Sequence, residues 1–151
     1  ILQIGSPNSN VGRILFSDPE DANIGDIKYT HSTNTLSFRT NDANQLELTS
    51  DGRGLSQFTA KAWCNFNGTS TPAFRDSHNC SSLTDYESGQ VGVNYTNNMA
   101  NVNYSAVVSS WGGYAASCGP NDLTVSKVTA VTSNGSAYSD HSQIMVQVFG
   151  D

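Results

Sequence analysis

The chain has 151 residues, room for one ordinary domain or for a small domain with an elongated extension. Apolar residues make up 36% and charged residues 13%, the latter about half the usual share, while Ser, Thr, Asn and Gly fill the difference. That balance excludes disorder driven by self-repelling charge and excludes a helical bundle. A net charge of −6, with Arg13, Lys28, Arg39, Arg53, Lys61, Arg75 and Lys127 scattered singly, argues against nucleic acid and anionic lipid as partners, and with no apolar run near the length of a span, membrane insertion is not expected. The chain opens at Ile1 without an initiator Met and is read as a piece of something longer.

Two compositional zones meet near Gly52–Leu55, giving expected domains 1–54 and 55–151. The first reads as short alternating strands: Arg13–Phe16, Asp26–Thr30, Thr35–Thr40 and Gln45–Leu48. Turn signals at Ser17–Glu20, His31–Asn34, Asn41–Asn44 and Thr49–Gly52 separate them. Strands this short carry too few apolar side chains to close a core in one copy, so the zone is expected to bury its apolar faces against other copies.

In the second zone the stretch Gln57–Phe66 places Phe58, Ala60, Ala62, Cys64 and Phe66 on one face. Trp63 falls on the other face and is expected to pack, either in a sandwich or between protomers. Strands follow at Asn79–Leu83, Val91–Thr96, Tyr104–Ser109, Leu123–Thr132 and Gln143–Phe149, with a change of phase near Lys127 that suggests a bulge or a strand that switches neighbours. Gly68, Gly89, Gly112-Gly113, Gly119-Pro120 and Asn134-Gly135 punctuate them. The expected architecture is all-β: an antiparallel sandwich or curled sheet of six or seven strands, without helix.

Cys64, Cys80 and Cys118 are odd in number and lack metal-site spacing, so they are read as reduced, mostly buried thiols. The sequons at Asn67, Asn79, Asn94, Asn103 and Asn134 arise readily by chance in such a composition.

Gly12-Arg13-Ile14-Leu15-Phe16-Ser17-Asp18, followed by Gly25-Asp26-Ile27-Lys28-Tyr29, Leu36–Asn41 and Leu46–Gly52, resembles the stalk segment of bacteriophage tail fibres. Ala60-Lys61-Ala62-Trp63-Cys64-Asn65-Phe66-Asn67-Gly68-Thr69, Arg75–Asp85, Gly92–Thr96 and Met99–Tyr104 are similar to the module that ends many such fibres. Together the two matches cover roughly the first hundred residues, in the order the family shows. Cys64 and Cys80 stand where the family usually has Val, which favours buried thiols and leaves a Cys64–Cys80 disulfide as the lesser alternative. The resemblance implies an interwoven trimeric β stalk with a sandwich-like tip, a homotrimer attached to the rest of a phage tail, a location on the virion after assembly in the bacterial cytoplasm, and a host-surface ligand, glycan or outer-membrane protein.

Catalysis is not expected. Asp76, Asp85, Glu87, Asp122 and Asp140 each fall in or beside a turn, the ordinary place for an acidic residue, and there is no Gly-x-Ser-x-Gly. His31, His78 and His141 would make a metal site only if one of them lay on a trimer axis, and neither metal nor cofactor is expected. Binding remains. Rings beside amides and hydroxyls on firmly held loops are what grip a glycan or protein receptor, and they point to Trp111, Tyr114, Asn121 and Asp122, with Tyr138 and His141 as a second loop. The leading expectation is a non-enzymatic adhesion module. The alternatives are a fibre or baseplate component whose tip serves trimer closure and, behind it, a polysaccharide depolymerase.

Overall fold

A computed structural model describes residues 3–56, 58–112, 115–118 and 123–150. Gln57, Gly113, Tyr114, Gly119, Pro120, Asn121 and Asp122 lie outside the described residues, as does the side chain of Cys118. The protein is all-β and its strands form three antiparallel sheets.

The chain divides into two compact units between Thr59 and Ala60. The first holds one five-stranded meander: β1 (Val11–Phe16), β2 (Gly25–Thr30), β3 (Thr35–Thr40), β4 (Ala43–Leu48) and the short β5 (Gly54–Leu55). The β3–β4 turn is tighter than the sequence suggests. Asn41 and Asp42 both take positive φ (48° and 59°), a two-residue hairpin that matches the strand twist, so Ala43 and Asn44 already pair with β3. Cross-strand register puts Ile14, Ile27, Phe38 and Leu46 in one row and Tyr29, Leu36 and Leu48 in the next, all on one face. Arg13, Lys28, Ser37 and Glu47 share a row on the opposite face. Among the described residues of this unit only Gly25, Asp26 and Ser37 are buried, so the apolar face stays bare.

The second unit is a two-layer sandwich. One sheet contains β6 (Ala60–Asn67), β7 (Ala73–His78), β10 (Ser105–Trp111) and β13 (Gln143–Phe149), in the order β10-β13-β6-β7. The other contains β8 (Cys80–Glu87), β9 (Gln90–Tyr95), β11 (Ala115–Cys118) and β12 (Lys127–Ser133), in the order β11-β12-β9-β8. The two inner faces share one core: Ala62, Cys64, Phe66, Val108, Ile144, Val146 and Val148 from the first, and Val91, Val93, Val128 and Ala130 from the second. Thr129 and Thr132 are also buried, so β12 is covered on both faces along most of its length.

Several expectations need correction. The unit has eight strands among the described residues rather than six or seven, because β7 and β11 carry little apolar alternation of their own. Phe58 is not on the inner face: it sits in a turn before β6, 70% exposed. The strand expected from Leu123 begins at Lys127. Thr124 and Lys127 bridge across a tight turn, and the change of phase is that turn, not a bulge. Cys80 is half-buried rather than buried. Trp63 does not enter the sandwich. It lies on the outer face of its sheet between Gln147 and His78, 37% exposed.

Candidate functional site

Strand direction decides which loops gather in the second unit. β6 begins and β13 finishes at one end, where Phe149 pairs with Ala60. The opposite, far end therefore collects the β6–β7 and β8–β9 links, the end of β10 at Trp111, and the segment between β12 and β13. β11 instead finishes, at Cys118, toward the near end.

Of the residues singled out from sequence, Trp111, Tyr138 and His141 are described, and all three belong to the far end. Trp111 closes β10 opposite Gln143, on the outer face of its sheet, 75% exposed. Tyr138 is also exposed. It pairs with Ser133 across the turn Asn134–Ala137, beside a shallow groove of roughly 500 Å3 lined by Ser133, Gly135, Ser136, Ala137 and Tyr138. That turn is set by Asn134, whose side-chain oxygen accepts the amides of Ser136 (3.1 Å) and Ala137 (3.0 Å), with Gly135 at φ +90°.

His141 is placed differently from the expectation of a contact residue. It is only 4% exposed. Its Nδ1 is 2.8 Å from the Ser110 hydroxyl and its Nε2 is 3.3 Å from the Ser139 hydroxyl, while its carbonyl accepts the Gly68 amide at 3.0 Å. The imidazole thus ties the strand end that presents Trp111 to the loop that presents Tyr138, and its role is to position them. The neighbouring bonds extend this brace. The Ser139 amide donates to the Thr132 carbonyl (3.1 Å), the Thr132 hydroxyl donates back to the Ser139 carbonyl (2.7 Å), and the Gly89 amide donates to Asp140 Oδ1 (2.6 Å). Gly89, at φ +72°, packs so closely that a Cβ there would lie 2.4 Å from the Thr132 carbonyl oxygen. Nothing in the spacing of Ser110, Gly89 and His141 announces this network, because its members come from three separate strands and loops.

Three of the acidic candidates accept hydrogen bonds, two from near neighbours and one from a distant loop. Asp76 accepts the Ser77 amide, Glu87 the Gln90 side-chain amide, and Asp140 the Gly89 amide. Among the described residues no three His, Cys, Asp or Glu side chains gather as a metal site would require.

Sequence reading also missed the outer face of the β10-β13-β6-β7 sheet. Val107, Gln147, Trp63 and His78 form one row, and Ser109, Met145, Asn65 and Asp76 the next. Val107, Trp63 and, further along, Phe149 and Trp111 are exposed there, with a groove of about 250 Å3 beside Trp63. Period-two alternation sets Trp63 on the face opposite Cys64 and Phe66, but does not say that this face is the outer one or that Val107 and Phe149 lie on it, since that depends on strand order.

Compared with protein-family models, curated proteins and solved structures, the chain matches none of them.

Proposed function

We propose that this chain is the distal part of a bacteriophage tail fibre: a homotrimer, carried on the virion as part of the tail, that adsorbs to a host-surface glycan or outer-membrane protein without catalysis. The observation that carries the reading is the bare apolar face of the five-stranded sheet. Ile14, Phe16, Tyr29, Phe38 and Leu48 are each more than a third exposed, on a sheet that buries no apolar side chain of its own among the described residues. A contiguous apolar surface of that kind marks an interface, and further copies of the same chain would cover it symmetrically. The resemblance of the first hundred or so residues to the stalk and terminal module of tail fibres points the same way. Trp111 and Tyr138, held at one end by the His141 brace, supply rings on a fixed frame where a receptor would dock. Three tethered tips compensate for a weak single site through effective concentration.

A second reading is favoured by one specific observation. Trp63, Val107 and Phe149 on the outer sheet face suit contact between protomers, which would make the second unit a trimer-closure domain, with recognition elsewhere on the virion.

Light scattering behind size exclusion tests the assembly: the expected molar mass is three times 16.1 kDa, and a stable monomer removes the fibre reading. Trp111→Ala combined with Tyr138→Ala then separates the two readings. An adsorbing tip loses host-cell binding and keeps its mass. Unchanged adsorption by an intact trimer leaves the closure reading, whose own test is loss of the trimer on Trp63→Ala.

A further inference from the structure

Cys64 and Cys80 sit on different layers of the sandwich, and the chain brings them together. Cys64 is on the inner face of β6, 2% exposed, while Cys80 opens β8 in the facing sheet and is half-buried. Between them the chain runs down β7 and changes sheet at Asn79, which adopts φ +55°. Asn79 is clamped there: its side-chain amide donates to the carbonyls of Lys61 (2.9 Å) and Asn97 (3.1 Å), and its side-chain oxygen accepts the Asn97 amide (2.8 Å). The clamp fixes where Cys80 begins. Its Sγ lies 3.5 Å from the carbonyl oxygen of Trp63, the residue bonded to Cys64, and 3.4 Å from that of His78.

We propose that Cys64 and Cys80 form a thiol–disulfide exchange site, which reacts with small disulfides of the glutathione class and closes a covalent staple between the two sheets.

The two thiols differ in a way that assigns their roles. The hydrogen bond between them, together with burial, pushes the Cys64 thiol well above the ordinary range. The same bond lowers that of Cys80. Cys80 is also the more exposed of the two and is therefore the attacking sulfur. Its thiolate displaces one glutathione thiolate from glutathione disulfide, breaking the S–S bond and forming a mixed disulfide at Cys80. Capping Cys80 ends its service as the acceptor that held the Cys64 proton. Cys64 then loses that proton and attacks the Cys80 sulfur, and the second glutathione leaves with the electron pair and takes up a proton. Two protein thiols are oxidised to one disulfide, and one glutathione disulfide is reduced to two glutathione molecules. The reaction does not depend on what the chain adsorbs to.

The test is incubation of the whole folded chain with glutathione disulfide, followed by thiol counting and peptide mapping by mass spectrometry. The expected result is loss of two free thiols, a Cys64–Cys80 linked peptide lighter by two hydrogens, and a higher urea midpoint. In Cys64→Ser the reaction should stop with one glutathionyl group on Cys80; in Cys80→Ser, Cys64 should remain free. Folded wild-type protein that keeps both thiols, retains glutathione on Cys80 without resolving it, or links either residue to Cys118 overturns the proposal. The wild-type measurement alone decides the matter even if neither variant folds.

Discussion

Asn79 shows how much of this fold rests on one side chain. A residue with a Cβ pays roughly 1–2 kcal/mol for the left-handed conformation, and Asn tolerates it better than most. Here the amide also satisfies groups from β6 and from the stretch after β9, so position 79 both turns the chain and ties down what it turns between. Asn79→Gly keeps the backbone and loses the bonds, and is expected to cost about 1–3 kcal/mol. Asn79→Ala loses both and should cost roughly 1 kcal/mol more. Chemical denaturation ranks the pair, and equal midpoints would mean the left-handed backbone contributes nothing. Beside it, Cys80 provides a pH readout. Its thiol is lowered by Cys64, so its thiolate persists at a lower pH than an ordinary cysteine's. Alkylation of Cys80 should therefore extend to lower pH in the wild type, and removing the donor with Cys64→Ala should move the profile upward. An unmoved profile would mean Cys64 does not stabilise the Cys80 thiolate. The sequence marks Asn79 only as one sequon among five. Its corner role is illegible there because the partners lie 18 residues away on either side.

At the scale of elements, legibility followed periodicity. β3 was readable to the residue because apolar and polar positions alternate cleanly, and β13 because its Ile and Val recur at every second position despite Met145 and Phe149 between and after them. β7 was missed because Ala73–His78 offers one large apolar side chain, Phe74, and owes its place to pairing with β6. β12 was begun four residues too early, because Leu123 and Val125 continue an apolar rhythm through a turn that backbone bonds impose. The β1–β5 sheet was read correctly as unable to bury its apolar residues, and it yields a sharp expectation. Phe38 lies in the central row of the bare face, 38% exposed, and covering what remains of the ring contributes about 0.5–1 kcal/mol per copy. Phe38→Glu would place an unpaired charge in that contact, so the assembly should fall to a single chain of 16.1 kDa in light scattering. Lys28→Glu, on the opposite face, should leave the mass unchanged. A trimer that survives Phe38→Glu would show that other surfaces hold it.

For the molecule as a whole, composition was a reliable guide to class and a poor one to site. Low charge with abundant Ser, Thr, Asn and Gly indicated all-β architecture, and the three antiparallel sheets agree. Of the candidate site, the exposed rings Trp111 and Tyr138 were legible, because neither sits in a strand periodicity that demands burial. The brace beneath them was not, since only folding brings Ser110, Ser139 and His141 together. The pairing of β6 with β13 on one side and β7 on the other has a mechanical consequence. Tension entering at Ala60 and opposed at the far-end loops would run lengthwise along β6. Its backbone rungs to both neighbours would then be loaded together in shear, not peeled one by one, so the sandwich resists force best along the length of β6.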